Sequence, residues 1–99
     1  MSERVFEYHP DAITEAHEAF LWYRERSPAA SGRFRDELIR ARKIACEQPQ
    51  RAIPYLHGTR CVIFDRFPYG LVFVEQGRST IGVAVVHLHR RPGYWRKRT

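Results

Sequence analysis

Acidic residues run out before the end of this chain: none follows Glu75. All 11 lie at or before that position, where bases balance them. Arg78, Arg90, Arg91, Arg96, Lys97 and Arg98 follow unopposed, so the whole formal charge of +6 sits in the last quarter. A field of one sign at one end favours an anionic partner, either nucleic acid or an acidic protein. Cysteine is almost as scarce. Cys46 and Cys61 match no metal-ligand spacing and build no disulfide framework, so both are expected as reduced, mostly buried thiols. Long apolar runs are missing too. The longest near the end, IGVAVV, is far too short to span a bilayer, and no membrane partner is expected. The opening MSERVFEYHPD is charged from its third residue, so no leader is expected and a cytoplasmic location is. Repeats, low-complexity tracts and linkers are absent.

What is present is one domain. The chain has 99 residues, 43% of them hydrophobic, which suits a single core over 1–99 with a basic C-terminal segment at 90–99. Val5 to Tyr8 predicts a short strand. His9-Pro10-Asp11 starts a helix, with proline in the first turn and acids at the positive end of its dipole. Ile13, Ala16, Phe20 and Tyr23 share its apolar face. Ser27-Pro28 ends that helix and caps the next, whose buried stripe is Phe34, Leu38, Ala41 and Ala45. Pro49 stops it. Helices joined so tightly form an antiparallel hairpin, and their charged faces are expected to be solubilising.

Residues 49–58 read as an irregular loop. The period then switches to two, predicting a strand from Arg60 to Arg66, a break at Phe67-Pro68-Tyr69-Gly70, a strand from Leu71 to Glu75, a turn at Gln76–Ser79 and a last strand from Thr80 to His89. The expected fold class is α+β: an N-terminal strand and an antiparallel helical hairpin packed on one face of a mainly antiparallel sheet. In the last strand Ile81, Val83, Val85, His87 and His89 should point one way and Gly82, Ala84, Val86, Leu88 and Arg90 the other. Both sets are largely apolar, so this strand should be central. The hairpin covers one face, and the second needs loops, a partner or a working role. His87 reads as a hydrogen-bonded structural residue, and His89, nearer the cations, as an acid or base. A two-histidine metal site would need Asp65 or Glu75 brought in by the fold, so no metal and no cofactor are expected.

Three stretches, HPDAITEAHEAFLWYRERSPAASGRFRDELIRA, GTRCVIFDRFPYGLVFVE and VAVVHLHRRPGYWRKR, resemble the RelE/ParE toxin superfamily of type II toxin–antitoxin and plasmid stabilisation systems. The most specific parts are the FPY turn and the close from His87 to Trp95. The resemblance covers nearly the whole chain. It implies a bacterial toxin neutralised by a cognate antitoxin that folds on binding. RelE-like members cut messenger RNA in the ribosomal A site without a metal, whereas ParE-like members inhibit DNA gyrase. For the endoribonuclease, the reading that leads here, the resemblance implies His89 as base or acid, with Arg60, Arg66, Arg91 and Tyr94 completing the catalytic set. Arg90, Arg96, Lys97, Arg98, Trp95 and His87 would contact RNA, the indole by stacking on a base. The gyrase inhibitor is the alternative. Two departures bear on the choice. RelE-like enzymes usually carry an arginine just after the tyrosine that opens the third strand, where this chain has Gly70 after Tyr69. A lysine pair on the first meander strand is also missing.

Overall fold

The computed structural model describes residues 4–99. Its first strand, β1 (Val5–Tyr8), leads into two helices, α1 (Pro10–Arg26) and α2 (Pro28–Glu47). The His9 imidazole caps α1 by accepting the Asp11 N–H at 3.1 Å, with Pro10 in the first turn. A single residue joins the helices. Ser27 donates its N–H to the Tyr23 carbonyl, closing α1, and its hydroxyl accepts the Ala30 N–H, opening α2. So short a link leaves the hairpin no choice but to turn back on itself.

Four further strands follow: β2 (Ile53–Pro54), β3 (Arg60–Ile63), β4 (Tyr69–Gln76) and β5 (Ser79–His87). The sheet order is β1-β5-β4-β3-β2, parallel between β1 and β5 and antiparallel elsewhere. This is the expected α+β class, with β5 interior to the sheet. The hairpin packs on one face, setting Phe34, Ala41 and Ala45 of α2 against Val62, Phe64, Leu71, Phe73 and Val85.

Four expectations are corrected. Ile13 is 55% exposed; Ala16, Phe20 and Tyr23 do pack against the core, and the buried positions of α1 are Ala12 and Ala19, whose small side chains let the helix approach β5. The strand expected to reach Arg66 stops at Ile63, because Glu37 from α2 takes the Asp65 and Arg66 N–H groups out of the ladder. Arg60 and Arg66 therefore do not share a strand register. The loop at 49–58 contains the two-residue β2. Finally, β5 ends at His87, where the Arg90 N–H turns back to the His87 carbonyl, and it carries a bulge. Val72 faces Ala84 but Phe73 faces Gly82, leaving Val83 as the extra residue. The bulge breaks the alternation. Ile81 joins Ala84 and Val86 on the far face, while Val85 stays under the helices. Gly82 is needed there, since a Cβ would lie 2.7 Å from the Tyr8 ring.

The second sheet face is covered by the chain's own end. Trp95 is 1% exposed and packs with Cys61, Val72, Val83, Ala84 and Val86. Tyr55 stacks on it at 6.0 Å between centroids, and His57 meets it edge-on at 5.7 Å.

Candidate functional site

Glu15 on α1 organises the end of the molecule where the basic segment lies. β1 gives way to α1 after Tyr8, so β5 beyond Gly82 has lost its neighbour. An uncovered strand edge exposes unpaired backbone groups. Here side chains supply the missing partners. Glu15 accepts the Val85 N–H at 3.0 Å, and Arg98 donates to the Val83 carbonyl at 3.2 Å. The Arg98 guanidinium also grips both Glu15 oxygens, at 2.9 and 3.2 Å, and lies 3.6 Å from Asp11. Tyr94 donates its hydroxyl to Glu15 at 2.6 Å. Burial, then the hydrogen bond to Glu15 and its charge, push the Tyr94 phenol well above the ordinary tyrosine range. Such a phenol is a poor proton donor at neutral pH.

Beside this network lies a cleft of about 320 Å³ between α1 and the ends of β4 and β5. Trp22 and Tyr23 from α1, Tyr69 from β4, and His87, Arg90 and Glu18 line it. Tyr69 and His87 are direct cross-strand partners, with rings 5.0 Å apart and edge to face. His87 Nδ1 accepts the His89 N–H at 3.2 Å. In the neutral ring the proton must then sit on Nε2, so His87 offers a donor and not a base. Burial, followed by the charges of Arg90 and His89, holds its titration below the usual histidine value of 6.5.

This shift has a measurable consequence. A histidine whose folded pKa is depressed contributes stability that is full above 6.5 and lost as pH falls through the folded midpoint. In an NMR titration the His87 ring is expected to protonate with a midpoint below 6.5, and Arg90→Gln should raise that midpoint. A wild-type midpoint at or above 6.5 would contradict the account.

The residues singled out from the sequence are not gathered in one place. His89 stands exposed beside His87, ring centroids 5.5 Å apart, with Arg90 and Arg91 exposed next to it. Arg60 sits four residues further along the sheet, opposite Phe73 where His87 is opposite Tyr69, roughly 13 Å away at ordinary strand rise. Its guanidinium donates to the Ala52 carbonyl. Arg66 is exposed on the β3–β4 turn. Arg98 and Tyr94 are bound to Glu15, while Arg96 and Lys97 are exposed. The stacking role expected of Trp95 is corrected outright, since a ring 1% exposed has no face free for a base.

Gly70, where the resemblance leads one to look for an arginine, faces the Trp95 side of the sheet. A Cβ there would lie 2.5 Å from Cys61 Sγ and 3.3 Å from the Val62 carbonyl. Cys61 is itself inert: burial pushes its thiol up to about 12. The second cysteine, Cys46, is partly exposed, and both are free.

Sequence reasoning passed over Glu15, Glu18 and Trp22 as ordinary helix residues. The available signal was spacing, because Glu15, Ala19 and Tyr23, like Glu18 and Trp22, recur every fourth residue along one side of α1.

Among solved structures, the chain is similar to one titled "Chromosomal ParDE TA system from P. aeruginosa", with a TM-score of 0.74 at 11% identity, covering 88% of this chain and 98% of that one. No family model matches the chain, and no curated protein does. The likeness shows the fold, and it is the fold that the RelE/ParE resemblance implies.

Proposed function

We propose that this chain is the toxin of a type II toxin–antitoxin pair, held in check by a cognate antitoxin, and that it acts in the cytoplasm by binding its target, in the manner of a DNA gyrase inhibitor. The fold it shares with a ParDE system chain supports the toxin reading. The observation that carries the choice of mechanism is the scatter of the groups that RNA cleavage needs. Arg60 lies four residues along the sheet from His87, Tyr94 is bound to Glu15, and the position after Tyr69 has no room for an arginine. Positioned general acids and bases supply about 100- to 10,000-fold in rate only when they reach the reacting atoms together.

One observation favours the endoribonuclease instead. His87, His89 and Arg90 do cluster at a cleft beside Tyr69. Expression of wild type and His89→Gln from a tightly controlled promoter separates the two readings. Binding predicts loss of DNA supercoiling, no transcripts cut in the ribosomal A site, and a variant within a few-fold of wild-type toxicity. A-site cleavage by the wild type that falls by about 100-fold or more in His89→Gln would replace this mechanism with the nuclease.

A further inference from the structure

The cleft between α1 and the ends of β4 and β5 has the chemistry of a small anchoring site. Its walls are aromatic. Trp22 is 51% exposed, with its ring edge-on to Tyr23 at 5.0 Å and the Arg26 guanidinium over it at 3.5 Å. Tyr69 faces it from the sheet. Exposed large apolar side chains gathered in one cleft, in contact with neighbours, are what a binding surface presents. Two donors stand among the rings. His87 offers Nε2–H, because Nδ1 is occupied by the His89 N–H. Arg90 forms no ion pair among the described residues.

We propose that this cleft anchors an acidic peptide segment of a protein partner: one aromatic side chain of that segment enters between Trp22, Tyr23 and Tyr69, and a neighbouring carboxylate is received by His87 Nε2–H and Arg90. The volume of about 320 Å³ lies at the bottom of the range for ligand sites, enough for a side chain and its near neighbour. Glu15 and Glu18 also line the cleft. The Glu15 oxygens are taken by Val85, Tyr94 and Arg98, which leaves Glu18 as the one carboxylate a partner must accommodate, and a phosphodiester strand has no backbone N–H donor for it. A peptide brings N–H donors that Glu18 can accept. The chain's charge of +6, concentrated near this end, steers acidic segments toward the cleft. The proposal deepens the binding reading and rests on it.

Trp22 makes the test direct. It is one of two tryptophans, and the other, Trp95, is buried. The full chain is titrated with a short capped peptide of glutamate and serine carrying one central phenylalanine, and Trp22 fluorescence is followed. The controls replace phenylalanine by alanine, or every glutamate by glutamine, and an oligouridylate of equal length serves as the nucleic acid. Each peptide control should bind about tenfold more weakly, as should Arg90→Gln with the first peptide, since one charge-assisted hydrogen bond or one buried ring is at stake. Thermal melts verify that Arg90→Gln, a change at an exposed position, leaves the fold intact. Three results would overturn the proposal: no Trp22 response, equal affinity with and without the phenylalanine, or tighter Arg90-dependent binding of the oligouridylate. Growth arrest without peptide binding would remove the anchor and leave the toxin reading standing. Peptide binding by a chain that never arrests growth would do the reverse.

Discussion

Trp95→Ala is expected to destabilise the domain by about 3–5 kcal/mol, the usual loss for a buried large aromatic. The ring is 1% exposed and covers the sheet face that the helices leave open, so its removal opens a cavity over Cys61, Val72, Ala84 and Val86. Domains of this size commonly have about 5–15 kcal/mol in total, so much of the margin disappears. Deleting Gly93 to Thr99 should do at least as much, because it also removes Tyr94 and Arg98 from Glu15. The basic segment expected to contact RNA is a structural lid on the sheet. Trp95→Phe separates the contributions. The indole N–H has no hydrogen-bond partner, so phenylalanine gives up only contact area and should cost much less than alanine. Chemical denaturation of the two variants and the truncation checks the order. A Trp95→Ala melt within about 1 kcal/mol of wild type would mean that the ring does not cover the sheet in solution.

Glu15→Ala carries the second large effect. One carboxylate accepts from Val85, Tyr94 and Arg98, and side-chain exposures of 19% for Glu15 and 15% for Arg98 place the pair largely out of water. Removing one partner of a buried ion pair costs up to about 3–5 kcal/mol, and Asp11, 3.6 Å from Arg98 but itself exposed, offsets only part of that loss. The Val85 N–H and Tyr94 hydroxyl lose their acceptor as well. Glu15→Gln keeps an acceptor oxygen but not the charge, and should fall between wild type and alanine. A double-mutant cycle with Arg98→Met is the decisive measurement. Coupling of about 0.5–3 kcal/mol is expected, and additivity would show that Glu15 and Arg98 act independently. Hydrogen exchange should locate the damage, with the Val85 amide losing protection first.

Local chemistry was enough for much of this protein. The His9-Pro10 and Ser27-Pro28 starts, the Phe34, Ala41 and Ala45 stripe, and the three-strand succession after residue 58 each depend on neighbours a few positions away. Helix periodicity and turn chemistry act over that range, so the α+β class and the hairpin were legible from the residues alone. The charge asymmetry was equally plain.

Tertiary structure decided what that chemistry faces. The extra residue at Val83 moved Ile81 to the other face, and no local signal marks a bulge among uniformly apolar β-formers. Glu15 looked like a helix-dipole carboxylate until the fold brought it to Val85 and Arg98, residues 70 and 83 positions away in sequence. Trp95 sat among cations and read as an exposed stacking ring. Yet burying a large indole over an open sheet face is worth more than leaving it in water, so the segment folds back and leaves Arg96 and Lys97 outside. Arg60 and His89 both looked catalytic, but a distance along a sheet is set by pairing register. Register places Arg60 beside Phe73 and His87 beside Tyr69, which separates the first from the histidine cluster and leaves a cleft at the second.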